Sequence, residues 1–146
     1  SLYLPGLFPT HGLKLDFDLQ SENVGNTYRY PNAFNYARGY DGSLNDQVLR
    51  IGVNYQLPVL YPDFGIAGIT YFQRVRLNAF YDYSRLAVEG FNFTRPNMSS
   101  LGGQLLFDNI WLNSALITLG VQAAYLPDAF PGQDKVDFRI LFSGGF

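Results

Sequence analysis

The chain has 146 residues, 17% of them aromatic (11 Tyr, 13 Phe), with 15 Gly and only 15% charged residues, well below the quarter usual for soluble domains. A net charge of -2 and a pI near 5.1 exclude a basic surface for nucleic acid, and the absence of Cys excludes disulfides, thiolate nucleophiles and thiolate metal sites. The longest nearly apolar stretch, Ala115 to Leu126, is interrupted by Thr118, Gly120 and Gln122 and is too short for a spanning helix of roughly 20 residues. The N-terminus, Ser-Leu-Tyr-Leu-Pro-Gly, has neither an initiator Met nor the charged and apolar regions of a signal peptide, and reads as a mature or excised product.

Six segments alternate with period two. Gly12 to Gln20 sets Leu13, Leu15, Phe17 and Leu19 against Lys14, Asp16, Asp18 and Gln20, the pattern of a two-faced strand. Leu49 to Val59 and Arg74 to Ser84 repeat it over about ten residues each, and Leu101 to Asp108 and Ala115 to Tyr125 repeat it less regularly. Val136 to Phe146 closes the series on an aromatic residue. Globular strands average about five to six residues, whereas a tilted strand crossing a bilayer needs about nine to eleven, so strand length favours a membrane.

The connections agree. Long links at Ser21–Asn45, Leu86–Ser99 and Leu126–Lys135 alternate with briefer ones around Tyr61–Phe72 and at Leu112–Ser114, as external loops alternate with periplasmic turns in outer-membrane barrels. Tyr61, Tyr71, Phe72, Trp111, Tyr125 and Phe146 lie near strand ends, where amphipathic rings suit the headgroup layer, although aromatics are common in any strand. The expected fold is all-β: an antiparallel up-and-down transmembrane β-barrel of which residues 1–146 form one C-terminal segment. Six strands cannot close such a barrel, because the smallest use about eight and an open edge in lipid leaves backbone groups unpaired. Further strands are therefore expected upstream or from other copies.

Two short motifs carry a more specific signal. The first long loop holds Tyr36-Ala37-Arg38-Gly39-Tyr40, and the third strand holds Phe80-Tyr81-Asp82-Tyr83-Ser84. Asp82 falls on the polar side of its strand, where a carboxylate in a confined space requires a cation, and the planar guanidinium of Arg38 can grip it if the loop folds inward. Gly39 permits a sharp turn, and Tyr40 can pack on the wall. Taken alone, an Arg-Gly-Tyr tripeptide fits an ordinary turn with a solvated Arg better.

Other groupings have plain structural readings. Asp16 and Asp18 are expected to be hydrated neighbours on a polar strand face, not a catalytic pair. His11 is the single His, which argues against a Ser-His-Asp arrangement or a multi-His metal site. Asp41-Gly42-Ser43 with Asp46 has the composition of a calcium loop without EF-hand spacing, and turn chemistry accounts for it. No cofactor, metal or covalent chemistry is expected.

The two motifs together resemble the C-terminal barrel of the superfamily that includes BamA, TamA and the two-partner-secretion transporters, the bacterial surface antigens of Gram-negative outer membranes. Its members carry Val/Ile-Arg-Gly-Tyr/Phe in a loop folded into the pore and Phe-x-Asp-x-Gly two strands later. Here Ala37-Arg38-Gly39-Tyr40 and Phe80-Tyr81-Asp82-Tyr83-Ser84 stand in those places, with Ala37 and Ser84 as departures, one strand before the loop and five after it. The resemblance implies about six C-terminal strands of a barrel of roughly 16. It also implies insertion or export of polypeptides across the outer membrane, and a pore-loop lock of Arg38, Gly39, Tyr40, Phe80 and Asp82. The last strand, with Phe138, Ile140, Phe142 and Phe146, is similar to the signal through which the assembly machinery recognises outer-membrane proteins. Expected partners are outer-membrane lipid, that machinery, polypeptide substrates and upstream strands or domains. Two alternatives stay open: a passive channel or anchor for an N-terminal domain, and a soluble ligand-binding barrel whose apolar face turns inward.

Overall fold

A computed structural model of the chain describes residues 1–21, 36–40, 47–87, 97–112 and 114–145. It contains eight strands and, among the described residues, no helix: β1 (Leu2–Pro5), β2 (Gly12–Ser21), β3 (Gln47–Leu60), β4 (Phe64–Ile66), β5 (Thr70–Ala87), β6 (Met98–Trp111), β7 (Ala115–Tyr125) and β8 (Val136–Gly145). All pairings are antiparallel, in the order β1-β2-β3-β5-β6-β7-β8 with β4 on β5, so the sheet is an open up-and-down meander. Phe146, Asp41 to Asp46 and most of the first long loop lie outside the described residues.

The six alternating segments become the six long strands, and two short strands join them. β1 pairs with β2 from Leu2↔Leu15 to Pro5↔Gly12, so two strands precede the first long loop where alternation indicated one. Four residues containing a Pro are too few to display a period. β4 continues the β3–β5 hairpin, pairing Phe64↔Phe72 and Ile66↔Thr70, which shortens the Tyr61–Phe72 link. β3, β5 and β6 also run longer than their alternation, to 14, 18 and 14 residues. Register shifts at Pro58/Leu60 and Phe72/Arg74 explain two of the extensions, since one extra residue reverses which positions face which side. Pro58 lies just past the last β2–β3 pair, Gly12↔Gln56, where its missing N–H interrupts no ladder on that side.

Cross-strand register sorts the residues into two unlike faces. One face carries rows such as Leu57–Leu77–Leu105–Val121–Ile140 and Val75–Phe107–Leu119–Phe142. The other carries Asp16–Gly52–Asp82–Ser100, Gln56–Asn78–Gln104–Gln122–Arg139 and Arg74–Asp108–Thr118–Ser143. The apolar face is the exposed one: among the described residues 28 large hydrophobics are exposed against six buried, with Phe17 at 65%, Phe138 at 77% and Ile140 at 87%. The polar face holds the buried groups, including Asp82, Ser84 and Ser100 at 0% and Asp108 at 2%. A soluble sheet has the reverse arrangement.

On the polar face, amide side chains are bonded from strand to strand. Asn54 Nδ2 donates to Asp16 Oδ2 (3.4 Å), Asn78 Nδ2 to Asn54 Oδ1 (3.3 Å) and Gln104 Oε1 (2.9 Å), and Gln104 Nε2 to Gln122 Oε1 (2.7 Å). Asp108 is gripped by Arg74 Nε (2.6 Å), Arg76 Nη2 (2.8 Å) and Thr118 Oγ1 (2.8 Å), a carboxylate fixed across three strands. Asp16, expected to be hydrated, is instead buried: Lys14 Nζ lies 3.0 Å away, and the Ser1 hydroxyl and Asn54 also bond to it. Lys14 on its own strand, Asn54 on β3 and Ser1 before β1 supply the solvation that water was expected to give.

The β4–β5 turn is Ile66-Ala67-Gly68-Ile69, closed by Ile69 N donating to Ile66 O (2.9 Å), with φ of 47° at Ala67 and 69° at Gly68. Positive φ at both central positions defines a type I′ turn, which fits hairpin twist but favours Asn-Gly over Ala-Gly. Ala67→Asn is therefore expected to stabilise the folded state by about 0.5–1 kcal/mol. The check is the midpoint of urea unfolding in detergent micelles, which rises if the left-handed Ala is a strained position.

Candidate functional site

Residues 36–40, from the loop between β2 and β3, lie against the polar face near the β3, β5 and β6 ends that adjoin the long loops. Tyr36, Ala37 and Tyr40 form a small apolar cluster with Val48, Phe80, Met98, Ala124 and Leu126, all at 6% exposure or less. It is the hydrophobic core found among the described residues, and it sits on the polar side of the sheet.

Arg38 reaches down from this cluster. Its Nε is 3.1 Å from Asp82 Oδ2, its backbone N–H donates to the same oxygen at 3.4 Å, and its Nη2 donates to Asn54 Oδ1 at 2.5 Å. The guanidinium carbon lies 4.1 Å from the Phe80 ring centroid, a cation–π contact. Asp82 also faces Arg50, whose Nη2 is 3.6 Å from Oδ1, while Arg50 Nη1 is 3.8 Å from Asp18. Burial pulls the Arg38 guanidinium below its ordinary pKa; Asp82 opposes this and Arg50 adds to it. The carboxylate is thus what makes a buried cation tolerable here.

Two glycines make the approach possible. A Cβ on Gly52 would come within 2.9 Å of Asp82 Oδ1, so the pair position opposite Asp82 has to be empty of side chain. Gly39 has φ of 92°, and a Cβ there would meet Leu126 Cδ2 at 2.7 Å. Both the backbone angle and the packing demand glycine.

The five residues Arg38, Gly39, Tyr40, Phe80 and Asp82 are brought together. The two departures from the family pattern join them: Ala37 N–H donates to Ser84 Oγ (2.9 Å), so Ser84 anchors the segment where the pattern has Gly. Phe138, Ile140 and Phe142 are elsewhere, on the apolar face of β8 and exposed, while Phe146 lies outside the described residues. His11 joins its turn to β3, with Nδ1 2.6 Å from the Tyr55 hydroxyl. No group of three or more potential metal ligands occurs among the described residues. Among the described residues no helix is long and apolar enough to cross a membrane, which says nothing of strands that cross one.

Alternation could not identify the partners contributed by the β7–β8 loop. Gln133 Nε2 donates to Gly39 O (3.0 Å), Phe130 packs edge-on to Tyr40 with ring centroids 5.8 Å apart, and Leu126 fills the space over Gly39. Tyr40 Oη donates to Ser99 O (3.0 Å), and Ser99 in turn donates from N (3.2 Å) and Oγ (2.5 Å) to Asp128 Oδ2. Burial and the Asp128 carboxylate hold the Tyr40 phenol above its ordinary pKa, which keeps it a neutral donor.

No family model matches the chain, and no curated protein or solved structure matches it either. The site is therefore described by its own geometry.

Arg38→Ala leaves Asp82 buried with Arg50 alone, and Asp82→Ala leaves Arg38 without its carboxylate. Each is expected to weaken docking of the segment by on the order of 3 kcal/mol, and the double variant by no more than the worse single one. A double-mutant cycle on protease protection of the loop checks this; strictly additive losses would mean that the two groups act independently. Gly39→Ala, with Arg38 and Asp82 untouched, is expected to undock the segment to a similar degree in the same assay.

Proposed function

We propose that this chain forms part of the wall of an outer-membrane β-barrel of the kind that inserts or exports polypeptides, with residues 36–40 acting as a plug docked on the wall's inner side. The carrying observation is the inverted distribution of side chains. Six long strands turn a continuous apolar face outward, while charges, amides and the packed loop share the other face. In water such a face costs roughly 25 cal/mol for every Å² of apolar surface exposed, and a contiguous patch beyond a few hundred Å² is uncommon on soluble monomers. In lipid it carries no such penalty.

Strand lengths of 10 to 18 residues are long enough for tilted spans, and exposed Tyr61, Trp111 and Tyr125 lie at strand ends, as interfacial anchors do. Turns cluster by length: Gly6–His11, the β4–β5 turn and the β6–β7 turn lie at one end of the meander, and the three long connections at the other. The open edges support a larger barrel. Among the described residues β1 pairs with β2 only from Gly12 to Leu15, and β8 pairs only with β7. In a bilayer those edges require further strands, which the reading assigns to the rest of a barrel.

Polypeptide insertion or export rests on the Arg38–Asp82 arrangement and its resemblance to the superfamily's motifs. A passive anchor is the second reading, favoured by how many bonds hold residues 36–40 in place. The polar, filled inner face weighs against a soluble barrel with an apolar ligand cavity.

Two measurements test the proposal. In a Gram-negative host the full-length protein is expected in the outer-membrane fraction, resistant to carbonate and released by detergent; recovery in buffer alone would overturn the membrane reading. Arg38→Ala, in protein that still shows heat-modifiable barrel migration, is expected to reduce substrate insertion or export at least about tenfold. Unchanged transport would favour the anchor.

A further inference from the structure

We infer that the β7–β8 loop is a clasp that sets whether the plug is docked, with Gln133 and Phe130 as its positioning residues. This rests on reading residues 36–40 as an inward-docked segment. The loop, residues 126–135, is a compact Ω-type unit: Leu126 N–H donates to Lys135 O (2.8 Å) across its base, and Ala129 N–H and Gln133 N–H donate to Leu126 O (3.3 Å) and Phe130 O (2.9 Å) within it. Asp128 ties the unit to β6 through Ser99. None of these bonds involves the plug.

Its grip on the plug uses further atoms beside those that bond within the loop. The Gln133 side chain is divided between two tasks: Oε1 accepts from Phe130 N–H (3.3 Å) inside the loop, and Nε2 donates to Gly39 O (3.0 Å) outside it. Gly39 is the residue after Arg38, with its left-handed backbone directing Arg38 toward Asp82. Fixing the Gly39 carbonyl fixes that turn. The Phe130 ring against Tyr40 closes the other side, and both loops meet at Ser99, whose carbonyl takes the Tyr40 hydroxyl while its N–H and hydroxyl go to Asp128. Arg38–Asp82 sets where the plug sits; the clasp sets how often it leaves. A change in the exposed β7–β8 loop, such as contact with a ligand outside the barrel, then alters plug release with no change at Asp82.

Gln133→Glu separates the two tasks, because a carboxylate still accepts from Phe130 N–H but cannot donate to Gly39 O. This chain has no Cys of its own, so Ala37→Cys, at a position 1% exposed, is the single probe within it for a membrane-impermeant maleimide in the full-length membrane-embedded protein, with any cysteine outside this chain replaced by Ser. With that probe alone, labelling is expected to be slow; adding Gln133→Glu is expected to speed it roughly tenfold, as the loss of one buried hydrogen bond implies. Phe130→Leu, which keeps bulk but removes the ring contact, is the second variant should the first lose heat-modifiable migration. Reciprocity supplies the readout that an independent loop would not give: Arg38→Ala should speed labelling of Ala129→Cys by a similar factor. Slow Ala37→Cys labelling in all backgrounds would overturn the clasp and leave the docked plug standing. Fast labelling with the probe alone would overturn both.

Discussion

A carboxylate with no access to solvent organises this fold. Asp82 lies toward the C-terminal end of β5 at 0% exposure, and a bare charge there would cost several kcal/mol in desolvation. Much of the surrounding sequence compensates for it. Arg38 comes from a distant loop, Arg50 from the adjacent strand, and Gly52 leaves the opposing position vacant so that the carboxylate has room. Asn54 takes the far end of the Arg38 guanidinium and passes hydrogen bonding on toward Asn78, Gln104 and Gln122. These groups are therefore one connected network, and the loop segment belongs to it as much as the strands do.

That network lies on the side of the sheet where a soluble protein would keep its core. The apolar residues that might have formed one, Phe17, Leu77, Phe107, Val121, Ile140 and Phe142 among them, face away from it and are exposed. What holds the described sheet together is the backbone ladder, cross-strand contact on both faces and this polar network, with one eight-residue apolar cluster beneath the loop segment. Such a balance makes physical sense when the medium on the apolar side is itself apolar, since the strands then gain nothing by folding that face against another layer.

The parts that were legible in the sequence are those that depend on period and sign. Alternation located the six long strands because every second residue on one face is apolar, and it placed Asp82, Asn54 and Arg50 on a common side. It failed where the period was interrupted or too short to display, at β1, at β4 and at the two register shifts. The burial of Asp16 is hidden for a related reason: alternation puts Lys14 beside it but assigns no neighbour across strands, and the closeness of Asn54 follows only from register. The Arg38–Asp82 contact was anticipated from charge and motif, whereas the β7–β8 loop was not. Its Pro-Asp-Ala-Phe-Pro-Gly run marks a turn-rich connection, but nothing local indicates that Gln133 reaches a carbonyl 94 positions away.

The division of labour at the loop segment follows from the energetics of each contact. A buried ion pair roughly repays its own desolvation, so Arg38–Asp82 contributes little net affinity; its effect is to penalise every position of the loop in which the two charges are apart. Net affinity has to come from apolar burial, and that resides in Tyr36, Ala37 and Tyr40 against Phe80, Met98 and Leu126, with Phe130 at the rim. Apolar contact is tolerant of small shifts, while the ion pair and the Gln133 hydrogen bond are not. Together they give a segment whose position is sharply defined but whose hold is modest. On the proposed reading, a plug that is exact when closed and still able to open requires that combination.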